Sequence, residues 1–190
     1  MNRIIGKPFN SICRIVDLLG LYFGDDVEVE LSRGLQQKPQ FSLHIQTQWR
    51  FRKGERILLA SRDIYTPFDP SADADWRFDI VGREPAQSSV FDATKDTFAQ
   101  MMGGSTVTDY TIAPWGDITV RFSNGVLFEA FVSGSVPDEE WRFFAIEDTD
   151  HVVFHELQEY PAHNKNQQKW FACATEEAAR RLHSGRSDCE

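Results

Sequence analysis

The stretch LHIQTQWRFRKGERILLASRD, residues 43–63, opens with alternating apolar and polar side chains, and that period of two points to half-buried β-strand. Leu43, Ile45, Trp49 and Phe51 form one row, and His44, Gln46, Gln48 and Arg50 form the other. Gly54 supplies a turn, so the stretch reads as a hairpin. A loop of Lys53, Gly54 and Glu55 pairs Phe51 with Ile57 and Trp49 with Leu59. It also sets His44, Gln46, Gln48 and Arg50 opposite Ile64, Arg62, Ala60 and Leu58. Such a mixed face predicts polar groups that are half-buried and hydrogen-bonded.

The rest of the chain reads mainly as further strands. Residues 10–23, NSICRIVDLLGLYF, fit either a short amphipathic helix through Ile12, Ile15, Val16 and Leu19, or an extended segment ending at Tyr22 and Phe23. Asp25-Asp26 marks a turn, VEVELS alternates as a strand, and Gly34 to Gln40 reads as a polar connector. Thr66 to Gln87 is an irregular loop rich in Pro and Asp, of a length often tied to function. Ser88 is placed to cap a helix whose stripe is Val90, Phe91, Thr94, Phe98 and Met101, ended by Gly103-Gly104.

After that helix, TVTDYTIAP and GDITVRFSNGVLFEAFV predict a meander, whose Ser123-Asn124-Gly125 turn admits two registers. A two-residue loop sets Glu129 opposite Val120, on the apolar face; a three-residue loop with Gly125 left-handed pairs Val120 with Phe128 and moves Glu129 beside Thr119 and Arg121. The second is expected, because an unpaired buried carboxylate is costly. WRFFAI and HVVFHEL supply further strand-like material, the latter open to a helical reading. TEEAARRLHSG reads as a short terminal helix. The fold class that follows is a single α+β domain over 1–160, a largely antiparallel β-sheet with one central helix packed on it. A polar linker and C-terminal helical tail follow over 161–190.

Charge narrows the function classes. Residues 1–95 balance 13 basic against 13 acidic side chains, whereas residues 96–190 hold 7 against 16, so the net −9 lies in the second half. Asp109 to Glu159 has eleven acids against Arg121 and Arg142 alone. That field repels phosphate, so nucleic acid is not an expected partner; a basic protein is. The same acids also serve simply to keep a protein soluble. Cys13, Cys173 and Cys189 form no CxxC and are odd in number, which predicts neither a disulfide framework nor a metal cluster and fits a reducing, cytoplasmic setting. Charged residues and Pro8 interrupt the N-terminal apolar runs, so neither a signal peptide nor a membrane span is expected.

Each candidate site has a structural alternative. His151 and His155, with Glu156 adjacent, would share a face on a helix, but on a strand they lie about 13 Å apart, too far for one zinc. Asp138, Glu139, Glu140, Glu147, Asp148 and Asp150 are abundant without being paired, and read as a solvated acidic rim. No phosphate loop, GxSxG elbow or HExxH occurs. Cys13 reads as a small buried hydrophobe. Trp49-Arg50, Trp76-Arg77 and Trp141-Arg142 invite a shared explanation, and the structural one is favoured: Trp anchors the core while the next residue faces outward. The row His44, Gln46, Gln48 and Arg50 remains the leading functional candidate, with Arg50 suited to a bidentate carboxylate contact.

LHIQTQWRF, then ILLASRD and, much later, EEWRFF with HVVF together resemble a family of small uncharacterised bacterial proteins. In that family an LH-Q-WR strand, a G-S-D return strand and a late E-WR-F stretch occur together. Ala60-Ser61-Arg62-Asp63 departs from the Gly form of the return strand. The resemblance covers most of residues 1–156, leaves out the chain beyond Pro161, and implies a cytoplasmic accessory or immunity-type protein of toxin systems, with no catalytic residue. The expected function is a non-enzymatic protein-binding module that sets an acidic surface, including Asp138, Glu139 and Glu140, against a basic protein partner, without cofactor, metal, nucleic acid or membrane. The alternative is a small-molecule binder or enzyme with a pocket near His44, Gln46 and Arg50, roofed by the 66–87 loop.

Overall fold

Period-two patterning dominates the backbone as expected, but it builds two sheets. The computed structural model describes residues 1–31, 34–72, 75–80, 87–134, 138–147 and 151–155. Its strands are β1 (Phe9–Ile15), β2 (Leu18–Leu31), β3 (Gly34–Ile45), β4 (Gln48–Lys53), β5 (Arg56–Ala60), β6 (Val107–Ile112), β7 (Ile118–Phe122), β8 (Val126–Phe131), β9 (Glu139–Ala145) and β10 (Val152–His155). One antiparallel sheet has the order β1-β2-β3-β9-β10 and the other β5-β4-β8-β7-β6. Antiparallel sheets with one α-helix among the described residues are the character of an α+β protein. The expected polar linker and C-terminal helical tail over 161–190, and with them Cys173 and Cys189, lie outside the described residues. So do Asp148, Asp150 and Glu156. Among the described residues no helix is long and apolar enough to cross a membrane.

The opening stretch turns a corner between the two sheets. It is not one strand of one hairpin: β3 ends at Ile45 in the first sheet and β4 begins at Gln48 in the second. The corner is held from outside, with the Gln46 amide donating to the Glu140 carbonyl at 2.9 Å and the Thr47 hydroxyl to the Phe131 carbonyl. Leu43, Ile45, Trp49 and Phe51 are all buried, as their shared row predicts. The polar row is divided between two sheets.

The β4–β5 register also differs. Phe51 pairs with Leu59, a bulge follows, and Arg52 pairs with Ile57, leaving a two-residue Gly54-Glu55 loop with Gly54 at φ 57°. The bulge absorbs one residue, so Leu59 is buried and Ile57 is 54% exposed. Arg50 faces Ala60 rather than Leu58. Residues 10–23 take the extended one of their two readings, as the β1–β2 hairpin, and two further expectations give way to strand: Asp25-Asp26 lies within β2, and Gly34 to Gln40 belongs to β3. The meander register is the expected one, with Val120 opposite Phe128, Thr119 opposite Glu129, and Gly125 at φ 81°.

Helix α1 (Val90–Met102) is capped by Ser89, one residue later than expected, whose hydroxyl accepts from the Asp92 amide at 3.1 Å. Its buried residues are Phe91, Phe98 and Met102, whereas Met101 is 45% exposed. The helix joins both sheets to one core. Phe98 meets Phe9 of β1 and Phe51 of β4, and Phe91 meets Trp49. Across the sheets Phe122 of β7 contacts Phe9 edge-on and stacks on Phe23 of β2. Trp141, Phe23, Phe51, Phe91 and Phe128 are fully buried, each contributing roughly 1.5–3 kcal/mol from area alone.

Candidate functional site

The outer face of the first sheet carries two adjacent cross-strand rows. Ser11, Tyr22, Ser42 and Phe144 are in register in one, and Cys13, Gly20, His44 and Arg142 in the other. Alternation sets these side chains away from the core, because Ile12, Leu21, Leu43 and Phe143 between them face inward. A groove of about 460 Å³ opens over this face, lined by Ser11, Tyr22, Ser42, His44 and Phe144. β2 and β3 shift register between Phe23 and Asp26. Such a bulge re-aims the ribbon beyond it, and Asp26 and Lys38 from that ribbon also line the groove.

Within the groove Ser42 is only 4% exposed, and its hydroxyl has no hydrogen-bond partner among the described residues. The other buried serines described have partners: Ser61 donates to Gln48, Ser89 to Asp92 and Ser105 to the Met102 carbonyl, while Ser88 has interactions of its own. His44, two residues on and on the same face, is half-buried and also makes no hydrogen bond through its ring nitrogens among the described residues. It touches Tyr22 and Phe144 edge-on, at ring separations of 6.3 Å and 5.1 Å. Burial, then the neighbouring Arg142 and His151, hold its pKa below the ordinary histidine value against the opposing pull of Glu139. The shift favours the neutral imidazole.

Gly20 makes room for Tyr22. A Cβ at Gly20 would lie 2.7 Å from the Tyr22 hydroxyl oxygen, so the phenol leans over this glycine toward Cys13, whose Sγ is 3.3 Å from that oxygen. Burial and the Cys13 contact raise the Tyr22 pKa, which keeps the hydroxyl protonated. Beyond His44, Arg142 is held by Glu139, with Nε donating to Oε1 at 2.9 Å and a second bond between Nη2 and Oε2. The Phe144 ring stacks on His151 at 4.4 Å.

The residues read from the sequence as a site do not converge. Gln46 is exposed at the corner, and Gln48 of β4 accepts from Ser61 at 2.9 Å. Arg50 lies on the outer face of the second sheet, where its Nε donates to Glu129 at 2.7 Å while Arg52 donates to the same carboxylate at 2.9 Å. The Arg50 guanidinium also lies over the Phe131 ring. Burial pushes the Glu129 pKa up, but the hydrogen bonds from Arg52 and Arg50 outweigh it and hold the carboxyl below its ordinary value. Arg50 thus makes its carboxylate contact within the chain.

Of the acids, Asp138 is exposed and accepts from the Glu139 amide, Glu139 is engaged by Arg142, and Glu140 is 7% exposed and accepts from the Gly134 amide at 3.2 Å. Of these acids, Glu139 is the one that acts on His44, and it is held by Arg142, the cross-strand partner of His44. The described part of the 66–87 loop is not in the groove lining; its Phe78 carbonyl instead accepts from Arg14. His151 precedes a strand that carries His155, which is the extended reading of HVVFH. Among the described residues no group of three or more His, Cys, Asp and Glu is arranged to hold a metal ion.

Sequence reasoning missed Tyr22, Ser42 and Phe144. For Ser42 a signal was present, because it shares the parity of His44 and simply extends the polar row two residues toward the N-terminus. Tyr22 and Phe144 are aromatic residues on an outward parity, which hydropathy counts as core. No family model, curated protein or solved structure matches this chain.

Proposed function

We propose that the protein is a non-enzymatic binding module that receives a small polar ligand on the outer face of its first sheet, with Tyr22, Ser42, His44 and Phe144 as recognition residues. The observation that carries this reading is the Ser42 hydroxyl, buried and unpartnered while lining an open groove. Buried polar groups are nearly always hydrogen-bonded, and leaving one unsatisfied costs about 1–3 kcal/mol. A ligand atom that bonds to Ser42 recovers that cost on binding. Ser42 and His44 make no hydrogen bond to each other among the described residues, so the pair is disposed to meet a ligand's polar atoms rather than to relay a proton.

A basic protein partner at Asp138, Glu139 and Glu140 has less support, since Glu139 is engaged by Arg142 and Glu140 is buried. The test is side-chain NMR with a defined library of soluble metabolites. A ligand should move Tyr22, His44 and Phe144 signals as one contiguous set and should bind Arg50→Ala unchanged. Perturbation confined to the Arg50 and Glu129 face would remove this reading.

A further inference from the structure

We infer that the ligand of this groove is an uncharged polyhydroxylated ring, a mono- or disaccharide laid across Tyr22 and Phe144 with its hydroxyls on Ser42 and His44. The inference rests on the reading of this face as the binding surface and adds the chemistry of what binds.

Charge comes first. Asp26 and Lys38 bring opposite signs to the lining, and one Asp26 oxygen already accepts from Asn10 Nδ2 at 3.1 Å. Arg142, beside the groove, is neutralised by Glu139. The groove therefore presents no net field that would select an anion or a cation.

Donor and acceptor character points the same way. A serine hydroxyl donates and accepts, and a neutral imidazole has one nitrogen for each role. The fitting partner is a group that also does both, which a sugar hydroxyl does. A carboxylate or phosphate only accepts, and an ammonium only donates, so either would leave half of this capacity unmet. Ser42 and His44 sit two residues apart on one face of β3, roughly 6.6 Å along the strand, a spacing that hydroxyls on opposite edges of one ring can bridge.

Shape agrees. Aromatic rings flank the polar pair, matching the C–H face of a sugar ring beside its polar edge, and a volume of about 460 Å³ lies in the usual range for small-ligand sites, about 300–1,000 Å³.

The experiment titrates the full chain with glucose, N-acetylglucosamine, maltose and cellobiose, and in parallel with inorganic phosphate, glucuronate and indole. It follows the ring signals of Tyr22, His44 and Phe144 by ¹³C-resolved NMR. The expected result is saturable movement with at least one neutral sugar, weakened fivefold or more in Ser42→Ala without any fall in that variant's Tm. Movement with phosphate, glucuronate or indole and none with the neutral sugars overturns the ligand class and leaves the binding face standing. A sugar response unchanged in Ser42→Ala overturns the assignment of the hydroxyl contact. Silence with every probe overturns both the class and the binding face.

Discussion

Arg14 of β1 and Asp92 of α1, 78 residues apart in sequence, form an ion pair in the interior, with Nη2 2.5 Å from Oδ2 and Nε 3.1 Å from both carboxylate oxygens. Their side chains are 1% and 10% exposed. The same guanidinium donates to the Phe78 carbonyl at 2.8 Å and to the Val16 carbonyl, while Asp92 accepts from the capping Ser89 hydroxyl. One charged pair therefore ties the β1–β2 turn, the 66–87 loop and the start of the helix together.

Breaking this pair from one side is expected to be severe. Asp92→Asn leaves a buried guanidinium uncompensated and should cost about 3–5 kcal/mol in urea denaturation. Burial raises the Asp92 pKa, but the Arg14 bonds outweigh it and hold it below its ordinary value. A depressed carboxylate contributes stability above its unfolded pKa, about 3.9, and loses it as pH falls through the lower folded value. The gap between wild type and Asp92→Asn should accordingly narrow only below about pH 3.9. A gap that is small at pH 7 would show that the pair is dispensable.

Val16, in the turn beside Arg14, has φ 58°, left-handed backbone that a β-branched residue adopts at a cost. Its side chain is 44% exposed and buries little. Val16→Gly should therefore raise stability by about 1 kcal/mol, read as a higher urea midpoint at unchanged m-value. A lower midpoint would mean that the valine side chain contributes more than its exposure implies.

Gly116 lies under Phe154 of β10. A Cβ there would be 2.1 Å from a Phe154 ring carbon, on a backbone at φ 98°, and the Gly116 carbonyl accepts from the Trp141 indole at 2.8 Å. Gly116→Ala should cost about 2 kcal/mol or more, from strain and overpacking together. In the Phe154→Ala background the penalty should shrink without vanishing, because the backbone strain remains. An equal penalty in both backgrounds would place the whole effect on φ.

His44 gives the protein a pH dependence of defined sign. Its folded pKa is depressed, by burial first and then by Arg142 and His151, so below about pH 6.5 the unfolded chain takes up a proton that the folded chain resists. Stability should fall as pH drops from about 6.5 through the lower folded value, and His44→Gln should flatten that part of the profile. Identical profiles for the two proteins between pH 7.5 and 5 would refute the shift.

Much of the molecule was legible locally. The inward parity of Leu43, Ile45, Trp49 and Phe51, the helix start near Ser89 and the Gly125 register with Glu129 kept off the core all follow from short-range rules. Two of the three Trp-Arg pairs did too: Trp49 and Trp141 are core, while Arg50 and Arg142 face outward onto Glu129 and Glu139. Trp76 is the exception, outside the core, with its indole N–H donating to the Gln87 carbonyl at 3.0 Å. The β4–β5 bulge was not legible, because Ile57, Leu58 and Leu59 are all apolar and hydropathy does not say which of them turns outward. Nor was the groove, since it depends on Ser11, Tyr22, Ser42 and Phe144 coming into register from four strands.

What the sequence determined by itself was which side of a regularly alternating strand faces the core, because a period of two reports burial. Which sheet each strand joins was decided only in three dimensions. Both sheets share one core, so a chain that turns the corner between them at Gln46 and Thr47 keeps its alternation of burial unbroken, Thr47 taking the inward place, with neither Gly nor Pro to mark the corner. The corner is fixed by partners far away in sequence, the Phe131 and Glu140 carbonyls. That is why His44 and Arg50, neighbours in one polar row of the sequence, serve two different faces of the protein.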